Sequence, residues 1–175
     1  MPASPGRYSL AEFPRYRYRP GRDPHPVRDP RGHSHHAAAR RVHFEPARWR
    51  ECDAYLYAVD LWNAGYYWEV HEVLEDLWRE TRADREDVAG LLKGIIQAAA
   101  ALLKHAVDEP EGAARLAARA GSALRGAPTG LLGFDARSLA ERVESFVAGR
   151  VDEPPRIALT GVSYLAPETA SSRPT

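Results

Sequence analysis

The chain reads as an all-α protein: a compact bundle of about five helices with a disordered basic N-terminal arm in front and an extended tail behind. Three observations lead there. From about residue 44 to residue 150, apolar residues recur every three or four positions, the period of one helix face. Within that span AGLLKGIIQAAAALLKHAV, residues 89–107, is apolar around much of its circumference, as a helix at the centre of a bundle is. Upstream of residue 44, Pro recurs at 2, 5, 14, 20, 24, 26 and 30 amid Arg, Tyr and His with no helical period. The reading divides the chain into an arm, 1–43, a helical domain, 44–150, and a tail, 151–175.

The elements follow in order. The arm has few aliphatic residues to offset the entropy of ordering, so it is expected to stay disordered. Pro46 suits a first helical position, and Trp49, Cys52, Leu56, Val59 and Trp62 then recur at helical spacing until Asn63-Ala64-Gly65 supplies a stop. A second helix is expected from about Tyr66 to Arg82 and a third from about Glu86 to Val107. Pro110 opens a fourth, Ala-rich helix, closed by Gly126 and Pro128. Asp135 is an N-cap for a fifth, with Leu139, Val143 and Phe146 on its apolar face. Pro154-Pro155 ends regular helix, and Arg156 to Leu165 is expected as an extended segment, packed on the bundle or loose in solvent.

Composition narrows the function classes. The 175 residues carry no formal net charge, yet residues 1–43 hold nine arginines against Glu12, Asp23 and Asp29, so the remainder is acidic. A basic arm attracts polyanions. Its RYRYRPGR stretch, Arg15 to Arg22, interleaves aromatics with cations as binders of single-stranded nucleic acid do, although a solvated tail is the favoured reading. Cys52 is the single cysteine, so no internal disulfide forms and a reducing, cytoplasmic setting is expected. No apolar run reaches the 18 or so residues of a membrane helix. His33, His35 and His36 form an H-x-H-H run with no second element to complete a metal site.

The chemistry concentrates in YYWEVHEVLEDLW, residues 66–78, which spaces His71, Glu75 and Trp78 as H-x-x-x-E-x-x-W. Residues four and seven apart share a helix face. At about 100° per residue, with His71 at zero, Tyr67, Val70, Leu74, Leu77 and Trp78 form the buried stripe. Glu75 and Arg82 sit on its flank, and Glu69, Glu72 and Asp76 fall on the solvent-facing arc. On the third helix Gly94, Ala98 and Ala101 make a strip of small residues ending at His105, with Lys93 and Gln97 at its polar edge. If the second helix packs on that strip, His71, Glu75 and His105 converge. Two imidazoles and a carboxylate are the donors of an open catalytic zinc, iron or manganese site, where one divalent ion lowers the pKa of a bound water. Trp78, Arg82 and Gln97 would line it. The alternative is an ordinary helix-surface pair, with Arg79 and Arg82 as counter-ions of Glu75.

NAGYYWEVHEVLEDLW, followed by LLKGIIQAAAALLKH and then GAARL, resembles the bacterial and archaeal domain-of-unknown-function family numbered 309, over roughly Trp49 to Leu124. The resemblance implies a compact all-α fold, no named activity, and metal binding by His71 and Glu75 with Trp78 at the motif's aromatic position. Three functions remain open: a metal-dependent hydrolase, a helical interaction or scaffold module that works without catalysis or as a homo-oligomer, and a nucleic-acid-associated protein using its arm.

Overall fold

A computed structural model describes residues 6–35 and 42–165 of the chain. Five α-helices carry the fold: α1 (Asp53–Asn63), α2 (Tyr67–Thr81), α3 (Glu86–Ala106), α4 (Pro110–Gly126) and α5 (Ala136–Val147). Short 3-10 turns at Pro46–Glu51 and Leu131–Gly133 precede α1 and α5. Among the described residues there is no strand, and no helix is long and apolar enough to cross a membrane.

The helix limits are set by local chemistry. α1 ends in a Schellman motif: Tyr66 N–H reaches Leu61 O at 2.9 Å and Gly65 N–H reaches Trp62 O at 3.0 Å. The motif needs a left-handed residue, and Gly65 supplies it at φ +79. Glu86 and Asp87 place negative charge on the first turn of α3, and Lys104 and His105 place basic groups on its last, both favoured by the helix dipole. Pro110 opens α4, and the Asp135 carboxylate accepts Ser138 N–H at 3.0 Å to cap α5.

The first expected helix is interrupted. Residues 46–51 form a 3-10 turn, Cys52 is extended, and the α-helix starts only at Asp53. The apolar spacing runs through the break, because both pieces bury their apolar residues in one core. Trp49 stands edge-on to Tyr55 at 5.7 Å, and its ring lies so close to Gly133 that a Cβ there would sit 2.3 Å away.

α3 is the centre, as its all-round apolar character predicts. It packs against α2, α4 and α5, while α1 packs on α2 and α4 on α5. The partner of its small-residue strip is α4. A Cβ on Gly94 would lie 3.0 Å from the Leu124 side chain and 3.3 Å from that of Ala123. α4 answers with its own small residues, Ala113, Ala117 and Ala120, all buried, while its Gly121 lies against Glu144 of α5.

Both flanking segments lie on the bundle. Residues 6–35 form neither helix nor strand, as their composition predicts, yet they are seated rather than free. Tyr8 and Ser9 are buried, and their N–H groups donate to the Asp60 carboxylate of α1 at 2.9 to 3.0 Å. Phe13 stacks on Tyr66 with ring centroids 5.2 Å apart. The apolar-area argument for disorder missed these anchors because they are carboxylates on the helices receiving backbone N–H groups of the arm. His36 lies outside the described residues. The segment after Pro155 takes the packed alternative: Asn63 pairs with both the N–H and the carbonyl of Ile157 at 2.8 Å. Trp62 Nε1 donates to Pro155 O at 2.8 Å, and Leu159 N–H to the Tyr8 hydroxyl at 2.9 Å. Tail and arm therefore touch each other as well as the helices.

Candidate functional site

The expected site residues all lie on α2 and α3 or at the end of α2, and the structure separates them. His71 and Glu75 do face each other on one side of α2, with Nε2 3.8 Å from Oε1. His71 Nδ1 lies 3.5 Å from a Glu72 oxygen, and the imidazole is raised above its ordinary pKa chiefly by Glu72, then by Glu75, against the opposing effect of burial. The other Glu75 oxygen accepts from Arg79 at 2.5 Å, and Arg79 also holds Asp76 at 2.7 Å. Of the two counter-ions named for Glu75, Arg79 pairs with it, while the Arg82 guanidinium stands over Trp78.

His105 does not join them. Because α4 takes the small-residue strip of α3, the end of that strip turns towards α5, and the His105 ring stands 4.9 Å from Phe146. Among the described residues no group of three or more His, Cys, Asp or Glu side chains is placed to hold a metal ion. Trp78 and Arg82 pair with one another instead, the guanidinium 5.2 Å from the indole centroid. Gln97 is half-buried on α3.

What sequence reasoning missed lies on the other flank of α2. Glu69, placed on the solvent-facing arc by the helical wheel, is buried beneath the arm. Its Oε1 receives Tyr18 N–H at 3.2 Å and contacts His33 Nε2 at 2.9 Å. The residues between Tyr18 and His33 thus form a loop whose two ends meet on one carboxylate oxygen. Among the described residues Oε2 has no hydrogen-bond partner, and burial pushes the Glu69 carboxyl up, opposed by His33 and Tyr18. Trp68 completes the seat, with Tyr18, His25 and His33 edge-on or tilted to its indole at 5.4, 5.6 and 6.4 Å. The sequence signal was an acid beside Trp68 together with His33 in the arm, but nothing in the spacing links two residues so far apart.

His105 opens instead onto a cleft of about 1100 Å³. Five segments build it: the arm at Arg7 to Asp23, the α1–α2 turn, the last turn of α3, Phe146 of α5, and Pro154 to Arg156. Tyr66, Tyr67, Trp62 and Phe146 give it aromatic walls. Its one lining carboxylate, Asp23, is engaged by Arg19 at 2.9 Å. The Arg17 guanidinium stands 5.5 Å from the Tyr66 ring centroid. Neither Arg17 nor Arg156 has a carboxylate partner for its side chain among the described residues.

Comparison with known proteins returns no matching curated protein and no matching solved structure. The family described as "Domain of unknown function (DUF309)" does match, over residues 55–116. That span holds nearly all of α1, the whole of α2 and α3 and the start of α4, and so carries Asp60, Glu69, His71, Glu75 and His105. Over residues 55–116 the chain is similar to that family.

Proposed function

We propose that the protein is a ligand-binding helical domain whose site is the cleft between the arm, the α1–α2 turn and the end of α3, and whose ligand is a small organic anion. One observation carries this reading: an aromatic-walled cleft of about 1100 Å³ in which Arg17 and Arg156 have no acidic partner among the described residues. A guanidinium over an apolar wall is worth more to an anion than the same group in open water, because local screening is weaker. The size also suits a small molecule, since ligand pockets run to about 300–1000 Å³. The arm supplies Arg17, so its seat on Glu69 and Trp68 shapes the site. The test uses 8-anilinonaphthalene-1-sulfonate, which joins flat rings to an anion and fluoresces when held in an apolar setting. The full chain is expected to bind it saturably at one site, and Arg17→Glu with Arg156→Glu to weaken it at least about tenfold with unchanged circular dichroism. Failure to bind, or equal binding by the double variant, overturns the reading.

A second reading keeps a divalent ion, zinc, iron or manganese, on His71 and Glu75. It is favoured by Glu72 standing at His71 Nδ1, which leaves Nε2 turned to Glu75. Carboxylates fix ligating imidazoles in this way. These residues offer two donors, with solvent or a substrate supplying the others, and the Arg79 contact to Glu75 would have to loosen. A ligand imidazole must be neutral, and His71 is held above its ordinary pKa. Zinc uptake is therefore expected to rise with pH through and beyond 6.5, the ordinary imidazole value. Elemental analysis after reconstitution checks it: stoichiometric zinc lost in His71→Ala supports the reading, and equal content in wild type and variant removes it.

A further inference from the structure

Resting on the reading that the cleft binds an anion, we propose that its ligand is a phosphate monoester carrying a planar ring, with a mononucleotide as the reference shape. Several polar atoms of the cleft are already used. Trp62 Nε1 is spent on Pro155 O, and both ends of the Asn63 amide are spent on Ile157. Asp23 is held by Arg19 through two contacts, at 2.9 and 3.3 Å. The groups left without a hydrogen bond or ion pair to the described residues are the guanidiniums of Arg17 and Arg156, the hydroxyls of Tyr18 and Tyr67 and the ring nitrogens of His105.

All five can donate. The Tyr67 hydroxyl stays protonated at neutral pH, since burial pushes it up to about 12 with Arg17 acting against the shift. A lining that offers donors and no free carboxylate calls for a ligand rich in acceptors. A single carboxylate brings two oxygens and one charge, which leaves donors unmatched. A phosphate monoester brings three terminal oxygens and about −1.5 to −2 charges at neutral pH, which matches two guanidiniums. Arginine is also the residue whose fork fits phosphate oxygens pairwise.

The ring follows from the walls. Tyr66 and Phe146 belong to different elements and both line the cleft, Tyr66 beneath Arg17 and Phe146 beside His105. Arg17 and His105 therefore each have an aromatic ring next to them. A ligand with a flat ring close to its phosphate uses both, through stacking and charge-assisted hydrogen bonds together.

The experiment is a titration of the 15N-labelled full chain with four probes: adenosine 5′-monophosphate, ribose 5-phosphate, adenosine, and phthalate, which has a ring and two carboxylates. The monophosphate is expected to shift the amides of Ala64, Gly65, Leu103 and Ala106 saturably. Adenosine and ribose 5-phosphate should bind at least about tenfold more weakly, and Arg156→Ala should weaken the monophosphate by about ten- to a hundredfold while sparing adenosine. Phthalate or adenosine binding as tightly as the monophosphate overturns the phosphate class. Ribose 5-phosphate binding as tightly overturns the ring. If no probe binds while the naphthalene sulfonate does, the ligand class falls and the cleft reading stands; if the sulfonate fails as well, both fall.

Discussion

Replacing Trp62 with alanine is expected to cost about 4 kcal/mol of stability, the usual penalty for emptying a buried aromatic site. Trp62 is 1% exposed, stands edge-on to Tyr67 at 5.8 Å, and donates to Pro155 O. The substitution therefore opens a cavity and leaves a carbonyl of the C-terminal segment without its donor. Urea denaturation gives the free energy, and the melting temperature should fall by roughly 10 °C. Trp62→Phe keeps most of the volume and loses the hydrogen bond, so it should cost about 1–2 kcal/mol. If Trp62→Ala costs no more than Trp62→Phe, the indole is not the packing element described above.

Asp60→Ala is expected to cost about 3 kcal/mol and to free the start of the arm. Asp60 is 2% exposed and accepts N–H groups from Tyr8 and Ser9, with Arg7 Nε at 3.6 Å. Its removal strands two backbone donors in a place that water does not reach. Burial holds the carboxyl above its ordinary value against those same donors, so much of the cost comes from the groups left behind. Limited proteolysis reads the result: cleavage near Leu10, already exposed, should become faster while the helical signal of α1 to α5 remains. Unchanged cleavage would show that the arm is held elsewhere, at Glu69 and Trp68.

These two residues show where sequence reasoning reached and where it stopped. The limits of α2, α3, α4 and α5 were readable because each is fixed within a few residues of itself, by a cap, a proline or a period. The buried stripe of α2, Val70, Leu74 and Leu77, was readable for the same reason. The break at Cys52 was not, since a 3-10 turn followed by an α-helix keeps apolar residues at nearly the same spacing as one continuous helix. Asp60 drew no expectation from the sequence, and Glu69 looked like a solvent-facing acid. Their roles depend on an arm that arrives from more than thirty-five residues away.

His105 makes the same point. Its position on α3 beside the Gly94 strip was legible, but two helices compete for a strip of small residues, and a wheel drawn on one helix cannot name the winner. α4 wins because its own Ala113, Ala117 and Ala120 allow two backbones to approach closely, whereas the stripe of α2 is built from Val70, Leu74 and Leu77.

The sequence by itself determined that the protein is all-α, that α3 is its centre, and that His71 and Glu75 share a face, because periodicity and capping act between near neighbours. Tertiary structure alone decided that Glu69 is buried, that His105 leaves the motif for a cationic cleft, and that the arm is seated. Those outcomes turn on which surfaces meet, and that is settled by shape and by buried polar groups finding partners across the whole chain.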